Sequence, residues 1–306
     1  MRDGRLSTRT ERCPCEDEGE LTVNEPVSVE ELLARLRNVE YLADTGLATA
    51  LHLAVRLRHP LLLEGEAGVG KTEAAKALAR ALDQPMIRLQ CYEGLDVHDA
   101  VYEWNYGRQL LAIRRSEAGG GALGDLYSEE FLIRRPLLRS LEGGVLLIDE
   151  LDRADDEFEA FLLEFLGEFS VTIPERGAFR AVAPPVVVLT SNRTRELHDA
   201  LKRRCYYHWI EHPTPERELE ILRARLPHLG AELARDVATA VARLRAMELR
   251  KPPGIAESLD WAQALGSLGL GRLDVGAAER TLGVVLKYRE DTALVLGRGL
   301  AAVVGA

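Results

Sequence analysis

Cysteine is scarce in this chain. The four in 306 residues, at positions 13, 15, 91 and 205, are too few and too unevenly placed for a disulfide framework, and a reducing, cytoplasmic setting is the expectation. Basic charge is also in deficit, with 39 Lys and Arg against 49 Asp and Glu and a formal net charge of -10. A surface built to neutralise nucleic-acid phosphates is therefore not expected, although a local basic stripe is compatible with that balance. No apolar run approaches the roughly 18 residues that mark a membrane-crossing helix, and the N-terminus is charged where a secretory leader is apolar. Aromatic residues make up only 6%, yet hydrophobic residues reach 46%, enough for a substantial core in one large domain or two modest ones.

Residues 1–27 mix charge, proline and glycine without an apolar period and read as a disordered tail. Cys13 and Cys15 sit in it, and Cys-x-Cys alone lacks the other two ligands of a zinc site. Beyond residue 28, strand-like and helix-like runs alternate. Residues 61–63, 86–89, 145–148, 186–189 and 206–210 read as strands, the third and fourth almost wholly apolar, as strands buried on both faces are. Between them, residues 155–169 place Phe158, Phe161, Leu162, Phe165 and Leu166 at helical spacing, a stripe expected to be core. After residue 212 the strand signal stops. Val237, Val241 and Leu244, then Trp261, Leu265 and Leu268, follow helical periods around the breaker Lys251-Pro-Pro-Gly254. The expected fold is α/β: a phosphate-loop-type parallel sheet with helices on both faces over residues 28–212, followed by a small all-helical lid over 213–306.

The most informative stretch is Gly65-Glu66-Ala67-Gly68-Val69-Gly70-Lys71-Thr72, directly behind the first strand and followed by Glu73 and a helical pattern in which Ala75, Leu78 and Leu82 share a face. Glycines at this spacing let backbone N–H groups turn inward around a polyphosphate, Lys71 can reach its outer oxygens, and the Thr72 hydroxyl can ligate Mg²⁺. A nucleoside triphosphate is the expected ligand. Val145-Leu-Leu-Ile-Asp149-Glu150 adds a strand ending in adjacent carboxylates, Asp149 to hold Mg²⁺ and Glu150 to deprotonate the attacking water. The strand over 186–189 leads into Asn192, whose amide can bond that water or the γ-phosphate, or can serve only as a turn residue. Asn192-Arg-Thr-Arg195 is not a guanine-reading sequence, which disfavours GTP. Arg203 and Arg204 close a short helix. Either they suit its dipole, or Arg204 reaches outward to the nucleotide of a neighbouring subunit.

These ordered motifs resemble the AAA+ ATPases over roughly residues 28–270. Residues 60–73, Gln90-Cys-Tyr-Glu-Gly-Leu-Asp96, Tyr102-Glu-Trp-Asn105, Val171-Thr-Ile-Pro-Glu175 and Leu189-Thr-Ser-Asn-Arg193 are similar to phrases of the MoxR branch, and within it of the CoxD-like proteins. The resemblance implies an ATP- and Mg²⁺-dependent ATPase that assembles as a hexameric ring, with chaperone-like remodelling or metal-centre maturation of a client metalloenzyme such as a molybdenum-containing CO dehydrogenase. It also implies a partner carrying a von Willebrand factor A domain. Residues 93–114 resemble the branch's helical insertion, and residues 170–182, with Pro174-Glu-Arg-Gly177 at the tip, its hairpin. Tyr102, Trp104 and Tyr106 alternate in the insertion, for client contact or as one amphipathic strand. The lid departs from the pattern: Gly254-Ile-Ala-Glu257-Ser258 has no arginine where relatives carry a γ-phosphate sensor, and Arg250 and Lys251 are the nearest replacements. Two other readings stay open, a nucleotide-gated scaffold with little hydrolysis and a DNA-acting ATPase.

Overall fold

The computed structural model describes residues 26–118 and 125–305. Most of the tail expected over residues 1–27, with Cys13 and Cys15, and the glycine hinge at 119–121 thus lie outside the described residues.

Nine strands occur among the described residues: β1 Leu61–Gly65, β2 Met86–Gln90, β3 Tyr102–Trp104, β4 Leu132–Arg134, β5 Val145–Asp149, β6 Ser170–Ile173, β7 Gly177–Arg180, β8 Val186–Ser191 and β9 Tyr206–Ile210. The five expected from apolar runs form one sheet in the order β2-β5-β8-β1-β9, with every neighbour parallel. Successive side chains of a strand point to opposite faces, and the sheet uses this to build two cores. Leu62, Leu146, Ile148, Val187 and Leu189 face one, closed by Phe158, Leu162 and Phe165 of helix Asp156–Glu168. Leu61, Leu63, Val145, Leu147 and Val188 face the other, covered by helices Val29–Asn38, Thr45–Leu57 and Lys71–Ala81. The phenylalanine stripe is core, as its spacing predicts.

Helix Asp156–Glu168 starts where Asp155 accepts the Phe158 N–H at 2.9 Å. That cap satisfies one of the orphan donors of the first turn, so Asp155→Ala should cost about 1 kcal/mol. The expected observation is a lower urea midpoint at unchanged slope; an unmoved midpoint would show that the cap contributes nothing.

Two smaller two-stranded sheets accompany the main one. β6 and β7 pair antiparallel with Ile173 opposite Gly177, around the expected Pro174–Gly177 tip. β3 pairs with β4, 28 or more residues away in sequence, with Tyr102 opposite Arg134 and Trp104 opposite Leu132. Here the aromatic alternation divides. Trp104 is buried in the core beside the sheet, while Tyr106 is exposed and already belongs to helix Tyr106–Glu117, so the three aromatics do not make one strand.

After β9 the described chain is helical: Pro215–Arg225, Ala231–Arg245, Ile255–Ser267, Val275–Val285, Arg289–Arg298 and Ala301–Val304. These enclose a third core with Val237, Val241, Leu244, Trp261 and Leu265. Leu268, expected with them, is 59% exposed, because it follows the last turn of its helix and points away. Within this unit the buried Glu218 accepts two hydrogen bonds from Arg245 and one from the Ser258 hydroxyl. A buried carboxylate is tolerated when its charge and lone pairs are matched in this way. No helix among the described residues is long and apolar enough to cross a membrane.

Candidate functional site

The C-terminal ends of β1, β5 and β8 open on one side of the sheet, where a crevice between diverging crossovers is expected to bind ligand. A cavity of about 740 Å³ lies there, within the size range of small-molecule sites. Lys71, Thr72, Asp149, Glu150 and Asn192, from three separate segments, all line it.

The glycine loop is shaped by contacts that permit no side chain. A Cβ on Gly65 would fall 2.4 Å from the Ile210 carbonyl oxygen, so β1 must end in glycine where it runs beside the end of β9. Gly68 and Gly70 have φ of +85° and +99°, the left-handed region in which Cβ is penalised. Gly70 then caps helix Lys71–Ala81, whose first N–H groups carry the positive end of its dipole. Lys71 is buried and its Nζ donates to the Gly65 and Glu66 carbonyls at 2.8 and 2.7 Å. Burial pulls its pKa below the usual lysine value, while Asp152, Asp149 and Glu150 oppose the fall. A buried ammonium needs such partners, and phosphate oxygens are equivalent acceptors at the same place. Of the segment 65–73, residues 67–73 line the cavity; Gly65 is paired with Ile210 of β9 in the sheet, and Glu66 points to His212, whose Nε2 is 3.0 Å from its carboxylate.

Asp149 ends β5 almost fully buried. Thr72 and Thr190 hydroxyls donate to its Oδ1 at 2.9 and 2.6 Å, and Arg88 Nε of β2 donates to Oδ2 at 3.0 Å. An all-oxygen pair of Thr72 and Asp149 beside a phosphate cradle suits Mg²⁺, which favours a carboxylate or two plus substrate phosphates. Glu150 is in the left-handed region at φ 55°, a placement that turns its side chain away from the strand direction. Gln90 Nε2 donates to its Oε2 at 3.1 Å and Arg153 Nε pairs with the same oxygen at 2.9 Å, so both contacts leave Oε1 available as a proton acceptor.

Asn192 stands at the cavity wall just past β8. Its loop is clamped by Asp152, which accepts the Asn192 N–H at 3.1 Å, the Thr194 N–H at 2.9 Å and the Thr194 hydroxyl at 2.6 Å. Burial works to raise the Asp152 pKa, but these donors outweigh it and the carboxyl lies below its usual value. Asp152 thus fixes where Asn192 can reach.

Other expected residues fall elsewhere. Arg204 is exposed and away from this cavity, its guanidinium donating to the Leu163 carbonyl. Arg250 and Lys251 do not line the cavity: Arg250 lies over the Tyr288 ring at 4.5 Å, and both backbone N–H groups are taken by Asp291. Glu257 caps its own helix by accepting the Gly254 N–H at 3.0 Å, and Ser258 belongs to the Glu218 network. Cys205 is packed beside the core, and burial raises its thiol to about 12.

Sequence reasoning missed several contributors. Arg88 and Gln90 alternate with apolar residues on β2, a pattern that marks one polar strand face without saying what it meets. Tyr41, Leu42 and Leu47 before β1, and Ile210 at the end of β9, give the cavity an apolar end suited to a base. Arg217, Ile221 and Arg225 line it from helix Pro215–Arg225. The lid touches the glycine loop directly, since the Ile255 N–H donates to the Gly68 carbonyl at 2.9 Å.

Comparison with known proteins agrees with this geometry. Residues 60–205 match the AAA domain of the dynein-related subfamily, a stretch that contains β1 through β8. The chain is 25% identical over 171 residues to the denitrification regulatory protein NirQ of Pseudomonas aeruginosa, covering 53% of this chain and 58% of that protein. It is 25% identical over 197 residues to NirQ of Stutzerimonas stutzeri, covering 62% and 64%, respectively. With the gas vesicle ATPase GvpN of Haloferax mediterranei it shares 25% identity over 216 residues, covering 68% of this chain and 62% of that protein. The chain thus spans between 58% and 64% of the length of these relatives.

Proposed function

We propose that this chain, with an AAA-type site in residues 60–205, is a MoxR-type ATPase that hydrolyses ATP to ADP and phosphate with Mg²⁺. The observation that carries the proposal is the convergence of Lys71, Thr72, Asp149, Glu150 and Asn192 on one cavity beneath the positive end of a helix. A protein that only held nucleotide would have no use for a cavity-lining Glu150 whose Oε1 stands outside its contacts with Gln90 and Arg153. The name of GvpN as an ATPase supports the same chemistry.

In this reading Lys71 exchanges its two carbonyl acceptors for the outer phosphate oxygens, and Thr72 and Asp149 would hold Mg²⁺. The metal, when bound, neutralises charge that develops on the phosphates. Glu150 Oε1 takes a proton from water as its oxygen bonds to the γ-phosphorus, the bond from that phosphorus to the bridging oxygen breaks, and ADP leaves. Asn192, set by Asp152, orients the water. Arg204 faces outward and is the candidate finger for the nucleotide of a second copy in a homo-oligomeric ring, a hexamer in the proposed assembly. The work of the cycle is remodelling or metal-centre maturation of a client metalloenzyme, a molybdenum-containing CO dehydrogenase-like hydroxylase by the resemblance of the motifs, with a von Willebrand factor A domain partner. The acidic balance supports a protein client over nucleic acid.

Phosphate release from ATP by the purified chain tests the proposal. Release should require Mg²⁺ and stop with excess EDTA. A wild-type protein that binds ATP with Mg²⁺ yet releases no phosphate above buffer would instead favour the nucleotide-gated scaffold.

A further inference from the structure

The lid helix Pro215–Arg225 presents Arg217, Ile221 and Arg225 to the nucleotide cavity at four-residue intervals, the spacing that puts side chains on one helical face. The two arginines differ in how they are held. Arg217 is committed to structure, with Nη1 paired to Glu220 at 2.6 Å and Nη2 donating to the Ala43 carbonyl at 2.8 Å. Arg225 has a looser tie, Nη1 at 3.5 Å from the Glu73 carboxylate.

Glu73 follows Thr72 in the first turn of the phosphate-loop helix, where an anion is favoured by the dipole. It is shared among three cations, with Arg80 at 2.8 Å and Lys76 at 3.6 Å in addition to Arg225. A single carboxylate cannot neutralise three positive charges, and Arg80 has the shortest contact. Arg225 and Lys76 both line the cavity, so the surplus charge is available to an anionic ligand. The other lid helix at the loop, Ile255–Ser267, brings no cation, since it contains no Lys or Arg, and its Glu257 and Ser258 are engaged in a cap and internal bonds.

We infer that Arg225 is the lid's phosphate-chain contact, held by Glu73 and transferred to the nucleotide when it binds. The inference rests on the nucleotide reading of this cavity and adds the lid residue that would report occupancy. An arginine bonding a phosphate makes charge-assisted contacts that a lysine reproduces only as a point charge.

Binding of a fluorescent ATP analogue with Mg²⁺ to the full chain tests it. Arg225→Ala should weaken binding about tenfold to a hundredfold, the range of one charge-assisted hydrogen bond, and Arg225→Lys should recover part of the loss. Glu73→Gln should tighten binding, because it removes the competing acceptor. If the pair merely fastened the lid, Glu73→Gln and Arg225→Ala would weaken binding alike, and that outcome overturns the inference, as does an Arg225→Ala protein that binds like wild type. Wild type that retains no nucleotide would overturn the ATPase reading and this inference with it, whereas equal retention by wild type and Arg225→Ala overturns this inference alone.

Discussion

Glu150→Gln should lower phosphate release by about 10² to 10⁴-fold, the usual contribution of a positioned general base, while leaving ATP bound. The amide is nearly isosteric and can keep the Gln90 and Arg153 contacts in place through oxygen, but it has no carboxylate lone pair basic enough to take a proton. The expected record is therefore a split, with turnover lost and nucleotide retained. Rates equal to wild type would mean that water is activated by another group and that the open Oε1 has no role. Because Glu150 touches Gln90 and Arg153 only through Oε2, the amide can orient its oxygen toward them and keep the fold of the turn.

Gly254→Ala is expected to have the second large effect, though the residue carries no chemistry. Its backbone, at φ -84°, is one that alanine can adopt, so the cost is one of space alone. A Cβ there would lie 2.6 Å from the Gly68 Cα and 2.8 Å from the Gly68 oxygen. Both neighbours are backbone, and no rotamer change relieves them. Either the phosphate loop or the lid must shift, and overpacking of this kind costs about 1–3 kcal/mol. Measured as affinity for an ATP analogue, that is a loss of roughly fivefold to a hundredfold. An alanine variant that binds as wild type does would show that the lid and loop separate freely without consequence for the ligand.

Much of the sheet was legible in the sequence because strands covered on both faces must be apolar throughout. The runs over 145–148 and 186–189 are short enough to read as strands rather than helices, and β9 spans the predicted residues 206–210. Phosphate-loop residues were legible for another reason: glycine at positive φ and a lysine at fixed spacing leave a local signature. What was hidden depended on pairings between distant residues. The β3–β4 register joins residues on opposite sides of a segment that includes 119–124, and three-residue strands carry too little pattern to announce themselves. Leu268 fits a helical period, but the helix ends at Ser267 before using it. Arg225 reads as one more solvated charge on an acidic and basic helix, and only the fold brings it over Glu73. The MoxR resemblance points to residues 250–258 for a lid sensor, whereas the cavity draws its lid cations from a helix thirty or so residues earlier.

The lid is joined to the sheet by His212-Pro213-Thr214-Pro215. His212 is tied to Glu66 in the loop, and Thr214 caps the first lid helix by accepting the Arg217 N–H at 3.3 Å. Proline fixes φ at 213 and again at 215, leaving about three soft dihedrals between the two rings. A joint with so few degrees of freedom cannot wander. Any swing of the helical unit is confined to a narrow arc, and the arc begins within one residue of a side chain that is fastened to the phosphate loop.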